Sequence, residues 1–173
     1  MSTSTELTTQ SAQSLATVTS SLGGSANAPT RQFLTFRIAA EEYGIDILKV
    51  QEIRSYEAPT RVANAPAFVK GVVNLRGVIV PIVDMRIRLA QAAEYTGFTV
   101  VIVLNVIGRV VGIVVDSVSD VLELEAAAIK PPPEVGAAID TRFITGLGKI
   151  GERMLILMDI ENMVASPDFG LVD

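Results

Sequence analysis

The feature that most narrows what this chain can fold into is an internal echo. Phe68 and Phe143, Gly71 and Gly146, Asp84 and Asp159, and Leu89 and Val164 correspond at a spacing of 75, and the apolar run 78–83 meets its counterpart in 154–158. Gly44 and Gly112, Val50 and Val118, and Ile53 and Val121 correspond at a spacing of 68. Two spacings in the same chain order argue for two similar halves of about 65 to 75 residues, separated near residues 90–98. Each half holds about five short strand-like runs. Few residues and many strands imply small, closed or nearly closed barrels, because open edges in so apolar a chain would invite edge-to-edge pairing. Neither barrel is large enough to stand alone, so the two should share an interface.

Within the first half, residues 68–84 hold two Val/Ile-rich runs around the polar tip Asn74-Leu75-Arg76-Gly77. That pattern predicts a hairpin with both strands buried on two faces, and Gly77 supplies the φ > 0 that a tight turn requires. Arg76 then sits where a buried sheet reaches solvent, either as a plain solvated turn or as an anchor for a partner. The dense stretch 98–115 is long enough to raise the question of a membrane span, given a mean hydropathy of +0.44. Asn105 and the turn at Gly108-Arg109 divide it, and its β-branched content favours two buried strands. A spanning helix with Arg109 at its centre would cost about 3 kcal/mol on insertion scales. No direct membrane insertion is therefore expected.

The remaining chain reads as follows. Residues 1–31 carry 14 Ser or Thr and a single acid, Glu6, without sustained periodicity, and predict a disordered tail. Phe33–Ile38 and Tyr43–Ile47 form a first strand pair around Ala39-Ala40-Glu41-Glu42. Leu48–Ile53 fits a short helical turn or an irregular strand, and six residues do not let periodicity decide. Pro131-Pro132-Pro133 sets an extended stretch that cannot lie in a central strand. Ile160–Val164 predicts a final helical turn, and residues 167–173 a short C-terminal tail.

Composition removes several chemistries. The chain has no His, Cys or Trp. That excludes Ser-His-Asp and Cys-His nucleophilic catalysis, thiolate or imidazole metal sites and disulfides. A net charge of −5 with 14 thinly spread Lys and Arg offers no basic stripe, and 5% aromatics leave little for base stacking, so nucleic acid is not an expected partner. The start lacks the basic and apolar regions of a secretory leader, which with the absence of Cys points to a cytoplasmic chain. Asp84, Asp116 and Asp159 each end an apolar strand. They could act as acids or metal ligands of a carboxylate-dependent hydrolase. Helix N-capping, worth about 1 kcal/mol each, explains the position of all three, and no metal or cofactor site is expected.

Four ordered motifs carry a resemblance: Glu42–Arg54 (EYGIDILKVQEIR), Asn74–Asp84 (NLRGVIVPIVD), Val111–Val121 (VGIVVDSVSDV) and Thr145–Gly148 (TGLG). Together they are similar to the CheW family of bacterial chemotaxis coupling proteins, over about residues 32–166. The resemblance implies a mainly β fold of two intertwined SH3-like five-stranded barrels with short helices, and no catalytic activity. It implies an adaptor joining the cytoplasmic hairpin of chemoreceptors to the regulatory domain of the histidine kinase CheA, at membrane-associated receptor arrays. Carried over by motif position, Val50, Glu52, Ile53, Gly71 and Arg76 are implied to face the receptor, with Arg76 pairing a receptor carboxylate and Glu52 a receptor base. Tyr43, Ile45 and Val114 are implied to face the kinase. A paralogous coupler of another chemosensory-like pathway remains equally compatible with these residues.

Overall fold

The computed structural model describes residues 29–132 and 141–166. The tail expected over 1–31 lies outside these except at its end, where Thr30 and Arg31 open the first strand. The expected C-terminal tail, 167–173, also lies outside them. Eleven strands and two short helices follow in order. These are β1 (Thr30–Ile38), β2 (Glu41–Asp46), β3 (Val50–Ser55), β4 (Val69–Leu75), β5 (Val78–Asp84), α1 (Met85–Arg88), β6 (Val100–Val106), β7 (Arg109–Val115), β8 (Ser117–Glu125), β9 (Ile129–Lys130), β10 (Ile144–Ile150), β11 (Arg153–Met158) and α2 (Ile160–Ala165). Residues 47–53 use both conformations the sequence allowed, a 3-10 turn at Ile47–Lys49 followed by β3. Asp46 caps that turn through the Leu48 N–H.

The strands form two sheets, ordered β3-β6-β7-β5-β4 and β8-β1-β2-β11-β10-β9. Each is an SH3-like barrel, the second carrying the two-residue β9. The division near 90–98 separates the repeats in the sequence but not the sheets in space. Barrel 1 takes β3–β5 from the first repeat and β6–β7 from the second, and barrel 2 takes β1–β2 from the first and β8–β11 from the second. Register reproduces both spacings. Ile82 faces Gly112 across the parallel β5–β7 pair, and Leu157 faces Gly44 across the parallel β11–β2 pair. Both barrels bulge at the same place, at Val69/Gly71 and at Ile144/Gly146. The Asp84 and Asp159 N–H groups donate to the carbonyls of Phe68 and Phe143, each at 2.7 Å.

Exchange of strands explains why the stretch 98–115 is so uniformly apolar. Ile102, Leu104, Val106, Val111, Ile113 and Val115 face a core shared by the barrels, while Val101, Val103 and Val114 face the interior of barrel 1. A strand buried on two faces has no polar side to alternate. The shared core also holds Leu34, Phe36, Ile156 and Met158 from barrel 2, and contains more than twice as many buried residues as the two interiors together. The interface is thus the main hydrophobic term of the fold. The dense stretch forms β6 and β7 as expected, although the turn falls on Ile107-Gly108. Among the described residues no helix is long and apolar enough to cross a membrane.

The strand-end carboxylates divide. Asp84 caps α1 through the Arg86 N–H, and Asp159 caps α2 through the Asn162 N–H. Asp116 does not cap a helix, because strand β8 follows it. Its carboxylate accepts from the Ala39 N–H (2.7 Å) and from Arg86 Nη1 (2.8 Å). Asp84 also does more than cap: Arg86, with no exposed surface, donates to it through Nε (2.6 Å) and Nη2 (3.0 Å). Tyr95 Oη donates to the same carboxylate at 2.6 Å, and its ring lies 4.9 Å from the guanidinium. Burial pulls the Arg86 pKa down, but the hydrogen bonds that it donates to Asp84 and Asp116 more than reverse this, and the group stays charged.

Candidate functional site

The β4–β5 hairpin is a tight turn in which Arg76 (φ 51°) and Gly77 (φ 88°) both have positive φ, the combination of a type I′ turn. Asn74 Oδ1 accepts from the Gly77 N–H at 2.8 Å and fixes it. Because Ile82 pairs with Gly112 in parallel, Val78 falls level with the Ile107-Gly108 turn, so both hairpin tips lie at one end of barrel 1. The start of β3 lies there too, since Val50 pairs with Leu104.

That end is apolar and open. Leu48 is 87% exposed, Ile107 69%, Ile79 60% and Val78 50%. The expectation that both hairpin strands are buried on two faces therefore fails at the tip, where Val78 and Ile79 are exposed. Ile107 is also strained, holding φ 52°, which a β-branched residue rarely adopts. Clustered exposed apolar side chains of this size mark interaction surfaces more often than chance.

Among the residues carried over by resemblance, the structure brings Glu52 and Arg76 together as an ion pair across the gap between β3 and the β4–β5 tip. These elements are at opposite edges of the strand order, so the pair spans the closure of the barrel. Arg54 approaches the other Glu52 oxygen at 3.5 Å. The hydrogen bond from Arg76, aided by the charge of Arg54, holds the Glu52 carboxyl below its ordinary range. Val50 is half-buried at the edge of the shared core, and Ile53 is exposed beside it.

Gly71 is different. It is buried, with φ 144°, and a Cβ there would stand 2.0 Å from the Thr60 carbonyl oxygen. Thr60 pairs with Val72 by two backbone bonds of 2.8 and 2.9 Å, which ties the loop after β3 to the far edge of the sheet. Gly71 thus seats a loop and presents no surface. Tyr43, Ile45 and Val114 require correction for the same reason: each has no exposed surface, the first two in the shared core and Val114 inside barrel 1. A partner cannot touch them in this fold.

Between the Glu52–Arg76 pair and the Thr60–Val72 bridge runs a groove of about 80 Å³. It is lined by Leu75, Ile82, Val101 and Val103, with Arg54 from β3 and Glu57 from the loop that follows it. A second crevice, of about 240 Å³, lies between the β6–β7 turn and α2, lined by Val106, Ile107, Val164 and Ala165. Sequence reasoning missed Leu48, Val78, Ile79 and Ile107 as surface residues. Among the described residues no three acidic side chains are grouped to hold a metal ion.

The equivalent end of barrel 2 is built from other chemistry. Asp120 stands where barrel 1 has Glu52, Thr35 where it has Val103, Glu42 where it has Val110, and Arg153 where it has Val78. These four close on one another. Arg153 donates to Glu42 (Nε, 3.1 Å) and to both Asp120 oxygens (3.0 Å each), and Thr35 contacts Asp120.

Comparison with known proteins agrees with this architecture. A family model described as the CheW-like domain matches residues 32–168. The chain is 60% identical over 144 residues to the chemotaxis protein CheW of Klebsiella aerogenes, covering 83% of this chain and 87% of that one. It is 36% identical over 145 residues to the probable chemotaxis protein CheW of Rhizobium etli, covering 83% and 94%. The crystal structure of the scaffolding protein TtCheW from Thermoanaerobacter tengcongensis superposes with a TM-score of 0.73 at 29% identity, over 81% of this chain and 91% of that one.

Proposed function

This chain belongs to the CheW-like family, and from that membership we propose that it is a non-enzymatic coupler, joining the cytoplasmic hairpin of chemoreceptors to the regulatory domain of CheA in the cytoplasm at receptor arrays. The observation that carries the reading is the open, apolar end of barrel 1, with Glu52 and Arg76 clasped across its gap. A receptor hairpin is an amphipathic helical coiled coil, and such helices dock by laying apolar residues into a groove. Val50 and Ile53 supply apolar contact at its margin, and Arg76, exposed at the tip, supplies a charged one. The crevice beside Ile107 and Ala165 is the surface we assign to the kinase, in place of the buried Tyr43, Ile45 and Val114.

The test is an NMR titration of the labelled chain with a soluble receptor hairpin and then with the CheA regulatory domain. Shifts around Ile53 and Arg76 for the receptor, and around Ile107 and Ala165 for the kinase, are the expected result. Arg76→Glu should weaken receptor binding while the melting temperature barely moves. If neither partner shifts any resonance, the coupling role is wrong for this chain.

A further inference from the structure

The first residue of the β4–β5 turn is held in a backbone conformation that residues with a side chain rarely adopt. Arg76 has φ 51°, in the left-handed region where glycine is favoured. The equivalent turn of barrel 2 shows what the hairpin needs for closure alone. There Gly151 (φ 58°) occupies the matching position, and Lys149 stands where barrel 1 has Asn74. The two hairpins share one strand register and bulge at the same place. The hairpin therefore closes with glycine at this corner and without an asparagine before it. In barrel 1 the strained backbone is fastened instead, because the Gly77 N–H donates to Asn74 Oδ1 at 2.8 Å. That N–H belongs to the peptide that follows Arg76, so the bond sets the ψ of Arg76 and, with φ, the direction in which its side chain leaves the turn.

We infer that Asn74 is a positioning residue for partner recognition: it presets the Arg76 guanidinium at the open end of barrel 1 for a carboxylate on the bound receptor helix. Arg76 gives an N–H to Glu52, and its side chain stays largely exposed, so the other donors of its planar fork are left for the partner. An arginine free to sample its rotamers loses that freedom on binding. Arg76 is fixed at its root by Asn74 and at its head by Glu52, and has lost much of it beforehand, which is how preorganisation raises affinity. Asn74 itself makes no contact with the partner and acts only through Arg76. Backbone strain persists where the surroundings hold it in place, and here the holding bond and the strained residue both belong to the presented charge.

The inference rests on the receptor-coupling reading, and its test keeps the two separate. Affinity of the full chain for a soluble chemoreceptor hairpin is measured by calorimetry for wild type, Asn74→Ala, Asn74→Asp, Arg76→Ala and the double variant Asn74→Ala/Arg76→Ala. Melting temperatures are recorded for each, and the Glu52 carboxyl is titrated by NMR in the unbound chain. Asn74→Ala should weaken binding about two- to tenfold, the cost of ordering one long side chain. Its melting temperature should fall by no more than about 4 °C, as for one exposed hydrogen bond. Its Glu52 carboxyl should titrate closer to the ordinary value of 4.5 than in wild type. Asn74→Asp, which keeps an acceptor for the Gly77 N–H, should bind within about twofold of wild type. In the double variant, Asn74→Ala should take nothing further from the affinity of Arg76→Ala, because a residue that acts through another has no effect once the other is gone. Wild-type affinity in Asn74→Ala, or additive losses in the double variant, overturns the inference and leaves the coupling role standing. A wild-type chain that does not bind the hairpin overturns both.

Discussion

Arg86 provides the sharpest energetic test of the fold, because the sequence and the structure assign different values to its partner. As a helix cap alone, Asp84 would contribute about 1 kcal/mol, and Arg86 nothing beyond its backbone N–H. In the structure both side chains are fully buried and bound twice to each other, and Arg86 also holds Asp116 and the Glu94 carbonyl (3.0 Å). Arg86→Met keeps the volume and the N–H that Asp84 caps, but leaves the carboxylate with only that N–H and Tyr95 Oη. Removing one partner of a buried ion pair costs about 3–5 kcal/mol, mostly the penalty of the charge left behind. For a domain of this size that is a drop of about 10–15 °C in melting temperature. Urea unfolding followed by circular dichroism measures it directly. The double variant Asp84→Asn/Arg86→Met should be less destabilised than the two singles together by about 1–3 kcal/mol, since the two groups act as a unit. A loss below about 1 kcal/mol for Arg86→Met, or strict additivity, would refute the buried-pair account and return Asp84 to a simple cap.

Three further outcomes follow from the geometry. The Glu52 carboxyl, held low by Arg76, should titrate below its ordinary value of 4.5 in a carbon-detected NMR titration and move back toward that value in Arg76→Ala. A depressed carboxyl stabilises above its unfolded pKa, so the clasp's contribution is intact at neutral pH and is lost as pH falls from about 4.5 through the lower folded value. Gly71→Ala should cost several kcal/mol in urea unfolding because its Cβ meets the Thr60 carbonyl, whereas Gly77→Ala, with nothing within 4 Å, should cost only about 1 kcal/mol for its positive φ. Arg153→Met should destabilise by about 1 kcal/mol, as expected for a partly exposed ion network, while receptor affinity measured by calorimetry stays at the wild-type value.

What could be read from the sequence was local or repeated. The two spacings survive as equivalent registers, bulges and hydrogen bonds, because duplicated strands keep the same neighbours at the same offsets. Asp84 and Asp159 cap helices because the rule acts over two or three residues. What could not be read required knowing which strands meet. Val78 and Ile79 look like the rest of an apolar strand, and only the folded structure shows that they are exposed. Tyr43, Ile45 and Val114 sit in strands packed on both sides, where alternation carries no sign of which face is outside. The Glu52–Arg76 clasp joins residues 24 apart, across opposite edges of the sheet order, and only barrel closure brings them together. Asp116 looked equivalent to Asp84, but its carboxylate holds the β1–β2 turn of the other barrel through Ala39.

The comparison between the two barrels shows how a duplicated fold acquires one docking end. Four equivalent positions are Asp120, Thr35, Glu42 and Arg153 in barrel 2, and Glu52, Val103, Val110 and Val78 in barrel 1. In barrel 2 the set satisfies itself: one guanidinium meets two carboxylates, and a threonine meets one of them, so little affinity is left for a partner's charge. In barrel 1 three of the four are valines, one of them half exposed, and the acid turns to arginines outside the set. Apolar surface that cannot be covered internally is the part of a fold most readily stabilised by a partner. The strand registers are equivalent in the two barrels. Side-chain self-sufficiency at barrel 2, and its absence at barrel 1, is what gives the molecule a direction.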